Sequence, residues 1–80
     1  MNQSTDSPKS ARYSDGRIII AFQSGSILTF PIAGNPRLED ANPAQLSNIE
    51  LSPFGLHWPD LDEDLSVEGI RAGRYGQRHE

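Results

Sequence analysis

The sequence predicts an α+β fold, a small antiparallel sheet of two hairpins with short helices on one face. The first observation is a period of two in the apolar residues of segments 18–22 and 28–32, on either side of a glycine-containing turn. The second is the pair Asn35-Pro36, repeated at Asn42-Pro43, because Asn followed by Pro marks the start of a helix. Together these patterns indicate strands and short helices in one chain.

The length and composition set the domain organisation. Eighty residues are enough for one domain. We expect a disordered N-terminal tail over residues 1–10, a single α+β domain over residues 11–76, and a flexible C-terminal tail over residues 77–80. The chain contains no cysteine, which excludes disulfides, thiol catalysis and cysteine-ligated zinc or iron–sulfur centres.

Charge and hydropathy indicate where the protein works and what it binds. The first ten residues are polar, and the longest apolar stretch covers only residues 18–22, so we expect a cytoplasmic protein with no membrane partner. The formal net charge is −4, and all of it lies in residues 41–80. This acidic balance argues against nucleic acid as a partner.

The first hairpin has a defined register because the turn must keep its apolar residues on one face. A two-residue loop at Ser24-Gly25 would mix the two faces. A three-residue loop over residues 23–25 places Gly25 at a left-handed position and keeps one face apolar. It predicts these pairs: Phe22 with Ser26, Ile20 with Leu28, and Ile18 with Phe30. We also expect residues 11–13 to add a short outer strand.

The remaining elements follow from caps and turns. Asn42 and Gln45 have the spacing of a capping box, and Ser66 is expected to cap a helix from Val67 to Ala72. Residues 49–51 and 56–58 form a second hairpin. Because proline cannot take the positive φ of a primed turn, we expect a four-residue loop over residues 52–55. Its register has these pairs: Leu51 with Leu56, Glu50 with His57, and Ile49 with Trp58.

Residues 48–70 resemble the bacterial family called domain of unknown function 2442. The likeness rests on Gly55-Leu56-His57-Trp58, on a short acidic run ending Asp64-Leu65-Ser66, and on the small helix that follows. An upstream glycine turn leading to Phe30-Pro31 and the helix at residues 43–46 extend it to residues 11–75. The resemblance implies an α+β fold and a small bacterial or phage protein. It implies no activity and no functional residues.

The resemblance also implies a type of partner. Members of this family are often encoded beside a protein called domain of unknown function 4160, which suggests a toxin–antitoxin type of pair. A partner encoded by a neighbouring gene is therefore expected.

The acidic run holds the main candidate site residues: Asp60, Asp62, Glu63 and Asp64. Three interpretations are open, namely negative charge at the start of the last helix, a patch that binds a partner, and a divalent metal site. The run lacks the glycine and the closing glutamate of an EF-hand loop. We therefore expect no metal ligands and no cofactor.

Three further residues have alternative roles. His57 and Glu50 suit a cross-strand charge pair better than an acid–base pair, so we expect no enzyme activity. Trp58 suits the core, and at a sheet edge it would instead anchor an interface.

The sequence therefore predicts a non-catalytic protein-interaction module. We expect binding through the acidic run, Trp58 and a free sheet edge, with Asp60, Asp62, Glu63 and Asp64 as partner-binding residues. The partner would be another protein, and a homodimer is a further option. Two biological forms are an antitoxin-like partner of a small toxin and a phage inhibitor of host defence. The alternative is a metal- or small-ligand-binding domain that uses residues 60–64.

Overall fold

The computed structural model describes residues 6–76, which contain six strands and three short helices. The strands are β1 (Pro8–Ser14), β2 (Arg17–Phe22), β3 (Ile27–Pro31), β4 (Glu50–Ser52), β5 (Gly55–Trp58) and β6 (Glu63–Ser66). The helices are α1 (Pro36–Glu39), α2 (Pro43–Ser47) and α3 (Val67–Arg71). This confirms the α+β class.

The strands form two antiparallel sheets of three strands each, where we expected one sheet of two hairpins. The first sheet has the order β1-β2-β3 and the second has the order β4-β5-β6. The first sheet contains the outer strand β1, which was expected over residues 11–13, and the second contains β6, which was not expected. The central strands are therefore β2 and β5.

The β2–β3 hairpin has the predicted three-residue loop. The Phe22 amide donates to the Ser26 carbonyl over 2.9 Å, and Ile20 lies opposite Leu28. Gly25 has a φ of 99°, in the left-handed region that side chains with a Cβ avoid. The alternation of apolar residues along β2 therefore sets this register, because it places the buried residues Ile18 and Phe22 on the core face.

The outer strand β1 is longer than expected. It begins at Pro8, so the tail predicted over residues 1–10 includes three residues of this strand. The start of the strand could not be predicted because its side chains show no apolar pattern, and its pairing with β2 is made by the backbone. Asp15 and Gly16 join the two strands with φ values of 51° and 82°, as in a type I′ turn. Residues 1–5 and 77–80, which include most of the two predicted tails, lie outside the described residues.

The helix caps occur where the sequence predicts them. The Asn35 side chain accepts from the amides of Arg37 and Leu38, and Asn42 forms a capping box with Gln45. Ser66 caps α3 by accepting from the Gly69 amide over 2.9 Å. No helix within residues 6–76 has the length and apolar character needed to cross a bilayer.

The β4–β5 hairpin has the predicted register but a shorter loop. Glu50 lies opposite His57 and Leu51 lies opposite Leu56, as expected. However, Ser52 also pairs with Gly55, so the loop is the two residues Pro53-Phe54. Neither has a positive φ, which means that the turn is not of the primed type. The prediction excluded this loop wrongly, because proline suits the first central position of an unprimed turn.

The strand β6 was not expected, and it corrects one interpretation of the acidic run. It pairs with β5, with Leu65 opposite Leu56 and Asp64 opposite His57. Glu63 and Asp64 therefore belong to a strand and not to the start of a helix. Gly55 allows this pairing, because a Cβ there would lie 2.4 Å from the Leu65 carbonyl oxygen.

The core combines residues of both sheets and all three helices. Nine apolar side chains within residues 6–76 are buried: Ile18, Ile20, Phe22, Phe30, Leu38, Leu46, Leu56, Trp58 and Ile70. Each helix contributes one of them, which explains how helices of four or five residues are held in place. The faces of both sheets that point away from this core carry the candidate surfaces described below.

Candidate functional site

Most carboxylates of the acidic run have partners within the chain. Asp60 accepts from the Asn48 amide group over 3.0 Å. Glu63 accepts from the Asn35 side chain over 3.0 Å and lies 3.6 Å from the Arg37 guanidinium. Asp62 occupies a left-handed turn position, with a φ of 52°, and its side chain is exposed. Asp60 and Glu63 therefore hold the β5–β6 connection in place.

Trp58 belongs to the core. None of its surface is exposed, and its indole Nε1 donates to the Leu46 carbonyl of α2 over 3.0 Å. The fully buried ring cannot serve as the interface anchor considered from the sequence. Burial of a large aromatic ring with its polar atom satisfied instead indicates a role in stability.

The outer face of the second sheet contains a trough of about 390 Å³. Its floor is the row Ser52–Gly55–Ser66, in which three small residues lie side by side on adjacent strands. The row Glu50–His57–Asp64 forms one wall, and Phe54 and Leu51 also line the trough. We call this set of residues the trough surface. Two exposed carboxylates and a histidine share the outer face, and the exposed residues Phe54 and Leu51 border it.

Phe54 is the most exposed large apolar side chain of the described residues, with 73% of its surface accessible. Its backbone is nevertheless fixed. The Ser52 hydroxyl accepts from the amides of Phe54 and Gly55, over 3.2 and 3.0 Å. The Phe54 carbonyl accepts from the Val67 amide over 2.8 Å. The phenyl ring is therefore presented by a turn that is held to β4 through Ser52 and to the start of α3 through Val67.

A second cavity, of about 570 Å³, also borders Phe54. Its lining includes Pro53, Phe54, Val67, Glu68 and Arg71. Phe54 thus borders two concave regions of the surface. A partner that covers the ring could fill either of them.

The wall of the trough contains a charged pair. His57 Nδ1 donates to the Asp64 carboxylate over 2.6 Å. This hydrogen bond raises the pKa of His57 above its ordinary 6.5, and the charges of Asp64, Glu50 and Asp62 raise it further. Glu50 itself lies opposite His57 but makes no hydrogen bond with it among the described residues. The sequence therefore predicted Glu50 correctly as the residue opposite His57 on β4. It did not predict Asp64 of β6 as the hydrogen-bonded carboxylate.

The polar groups near His57 on the trough surface are carboxylates and serine hydroxyls. Within residues 6–76, no three His, Asp or Glu side chains converge as metal ligands. The two serine hydroxyls beside His57 have other roles, because Ser52 holds the turn and Ser66 caps α3. The described part of the chain thus offers His57 no hydrogen-bonded serine.

Sequence reasoning missed Phe54 and Leu51 as surface residues. The signal for Phe54 was its position in a turn between two strands, because turn tips point away from the sheet. Leu51 shares a face with the buried Leu56, but it lies on an edge strand and stays 38% exposed. Its exposure depends on how the sheet packs, which the alternation of residues does not reveal.

The fold and the site define a class of small α+β proteins with two three-stranded sheets. The chain belongs to a family described as protein of unknown function, DUF2442, whose model matches residues 8–76. This confirms the resemblance found in the sequence. A comparison with curated proteins finds no match.

Two solved structures share this fold. A protein of unknown function from Rhodospirillum rubrum, solved by crystallography, is 34% identical, with a TM-score of 0.82. The match covers 94% of this chain and 95% of that one. An uncharacterized protein from Chromobacterium violaceum, solved by solution NMR, is 29% identical, with a TM-score of 0.77. That match covers 89% of this chain and 69% of the other.

Proposed function

We propose that the protein is a non-catalytic binding module that docks a cationic partner protein on its trough surface. The observation that carries the proposal is Phe54, an exposed aromatic ring on a fixed turn that borders two cavities. Aromatic side chains are enriched at protein interfaces. Because the turn is already ordered, little conformational entropy is lost when a partner covers the ring.

The charge of the surface specifies the chemistry of the partner. Glu50 and Asp64 are exposed on the wall of the trough, and Asp62 is exposed in the turn that precedes β6. A partner that places Lys or Arg side chains against these carboxylates, beside an apolar recess for Phe54, would complement both features. Complementary charge also speeds the encounter between the two proteins.

This proposal keeps part of the site predicted from the sequence and changes the rest. Asp64 stays in it because it lines the trough, and Asp62 stays because it is exposed in the adjoining turn. Asp60 and Glu63 leave it because they bind Asn48 and Asn35, which lie outside the trough surface. Phe54 replaces Trp58 as the aromatic anchor because Trp58 is buried. Neutralisation of a small toxin and inhibition of a host defence protein are two biological forms of such binding.

Co-purification from a bacterial host tests the proposal with matched variants. Phe54→Ala removes the anchor, whereas Ile27→Ala removes a side chain of similar exposure, 61%, from the first sheet. We expect the wild type and Ile27→Ala to retain the same protein, and Phe54→Ala to bind it at least about tenfold more weakly. Glu50→Gln should weaken binding mainly at low salt, because exposed charges are screened at high salt.

The contrary results are equally definite. Equal capture by the wild type and by a folded Phe54→Ala variant would reject the trough surface as the docking site. Binding of a small molecule to the purified wild type at this surface, without any protein partner, would instead support the ligand-binding alternative.

A further inference from the structure

The outer face of the first sheet has an unusual composition. The strand register places nine residues on it in three rows: Ser10–Ala21–Ile27, Arg12–Ile19–Thr29 and Ser14–Arg17–Pro31. The opposite face carries the buried residues Ile18, Ile20 and Phe30. No residue of the three rows is buried, so this face is open to solvent across all three strands.

This face carries positive charge without compensation. Arg12 and Arg17 are exposed, and neither forms an ion pair with any residue of the described chain. None of the nine residues is acidic. Ile19 lies directly opposite Arg12 on the adjacent strand, and Ile27 lies at the edge with 61% of its surface exposed. Two arginines thus flank an apolar strip on a protein whose net charge is −4.

We propose that the outer face of the first sheet is a second docking surface, which binds an acidic protein segment that also carries apolar side chains. Carboxylates of the segment would pair with Arg12 and Arg17, and guanidinium groups suit this because they bind carboxylates in a bidentate way. The apolar side chains would cover Ile19 and Ile27. This inference does not depend on the trough surface, which would bind a partner of the opposite charge.

Two other occupants fit this face less well. A second copy that stacked the same face symmetrically would bring four arginines together, and their like charges would repel. A single-stranded nucleic acid would need aromatic rings for its bases to stack on, and the three rows contain none. Acidic protein is therefore the occupant that both the charges and the apolar strip favour.

A synthetic peptide of about ten residues that repeats Glu-Ser-Val-Ser serves as the probe, because side chains of an extended segment alternate between its two faces and this spacing places glutamate and valine on the same face. We expect the full chain to bind it with NMR shift changes at the amides of Arg12, Ile19, Ile27 and Thr29. Changing Arg12 and Arg17 together to Glu should weaken binding at least about tenfold. Arg74→Glu changes an exposed arginine outside this face and should have a smaller effect. Phe54→Ala should bind the probe as the wild type does.

Several results would overturn this inference. One is an equal loss of binding in Arg74→Glu, which would indicate a general effect of net charge. Tighter binding of a single-stranded oligonucleotide than of the peptide would assign the face to nucleic acid. Self-association that is abolished by changing Arg12 and Arg17 to Glu would assign it to a second copy. The same peptide with lysine in place of glutamate would also contradict it, if it shifts the same amides equally. Phe54→Ala is expected to weaken binding of the captured protein and to leave binding of the peptide unchanged, so failure of one proposal is distinguishable from failure of the other.

Discussion

Two aromatic residues of the same hairpin, Phe54 and Trp58, have opposite environments. Trp58 is fully buried and hydrogen-bonded to the Leu46 carbonyl, whereas Phe54 lies 73% exposed at the turn. We therefore expect the two side chains to separate stability from binding. Trp58 contributes to the free energy of folding, and Phe54 contributes to the affinity for a partner.

This separation predicts different effects on stability. Trp58→Phe leaves the buried Leu46 carbonyl without its indole donor, which should lower the free energy of unfolding by about 1–3 kcal/mol. Phe54→Ala changes an exposed side chain and should alter it by less than about 0.5 kcal/mol. Urea denaturation of both variants measures the two values. Equal destabilisation by the two substitutions would contradict the assigned roles.

His57 gives a prediction for pH. Its hydrogen bond to Asp64 raises its pKa in the folded state above the ordinary 6.5. The pair's contribution to stability is therefore fully present below the unfolded pKa, and it is lost as the pH rises through the folded pKa. Asp64→Asn should bring the pKa of His57 back towards its ordinary value. An NMR titration of the His57 ring protons measures this shift, with Glu68→Gln as a control that leaves the pKa raised. A pKa unchanged by Asp64→Asn would rule out the pairing as its cause.

At the scale of elements, turn geometry decides which pairings form. The β2–β3 loop requires a positive φ at Gly25, and an added Cβ there would meet no other atom within 4 Å. The cost of a side chain at this position is therefore backbone strain alone. Gly25→Val should lower the free energy of unfolding by roughly 1–3 kcal/mol. Thermal and chemical denaturation measure it, and Gln23→Ala, an exposed change in the same loop, should have little effect. An unaltered melting curve for Gly25→Val would exclude strain at this turn.

Much of the fold could be predicted because it depends on local signals. The β2–β3 register follows from the alternation of apolar residues along the two strands. All three helices begin at the caps that the sequence indicates. The strand β6 was missed because Glu63-Asp64-Leu65-Ser66 contains a single apolar residue, which gives no clear period of two. The predicted length of β1 was too short for the same reason, because Lys9 and Ser10 near its start are polar.

The candidate site was less predictable because it depends on packing between elements. The sequence shows the acidic run only as a block of negative charge. The positions of Asn48, Asn35 and Arg37 show that Asp60 and Glu63 bind residues of the same chain. Those contacts join residues far apart in sequence. The exposure of Phe54 likewise depends on a turn type that the prediction had excluded.

At the scale of the whole molecule, Asn35 connects three separate segments. Its side-chain oxygen caps α1, while its Nδ2 group donates to Glu63 of β6 and to the Tyr75 carbonyl near the C-terminal end of the described chain. The residue is buried, and both polar atoms of its side chain have hydrogen-bond partners. Asn35 therefore ties the first half of the chain to the strand that carries Asp64.

A substitution that keeps the cap and removes the tie tests this connection. Asn35→Asp still caps α1, but it loses the two donors and brings a buried carboxylate against Glu63. We expect it to lower the free energy of unfolding by roughly 2–4 kcal/mol. Asn42→Asp makes the same change at the exposed cap of α2 and should cost less than about 0.5 kcal/mol. Equal costs for the two variants, measured by urea denaturation, would show that Asn35 acts only as a cap.

The most direct test of the binding proposal maps a purified partner onto the wild-type protein. The protein labelled with ¹⁵N is titrated with the partner captured by the wild type and not by Phe54→Ala. We predict that amide shift changes cluster at Leu51, Phe54, His57 and Asp64, and that they weaken as salt is added. Shift changes confined to the first sheet, or an unperturbed trough surface at saturating partner, would contradict the account.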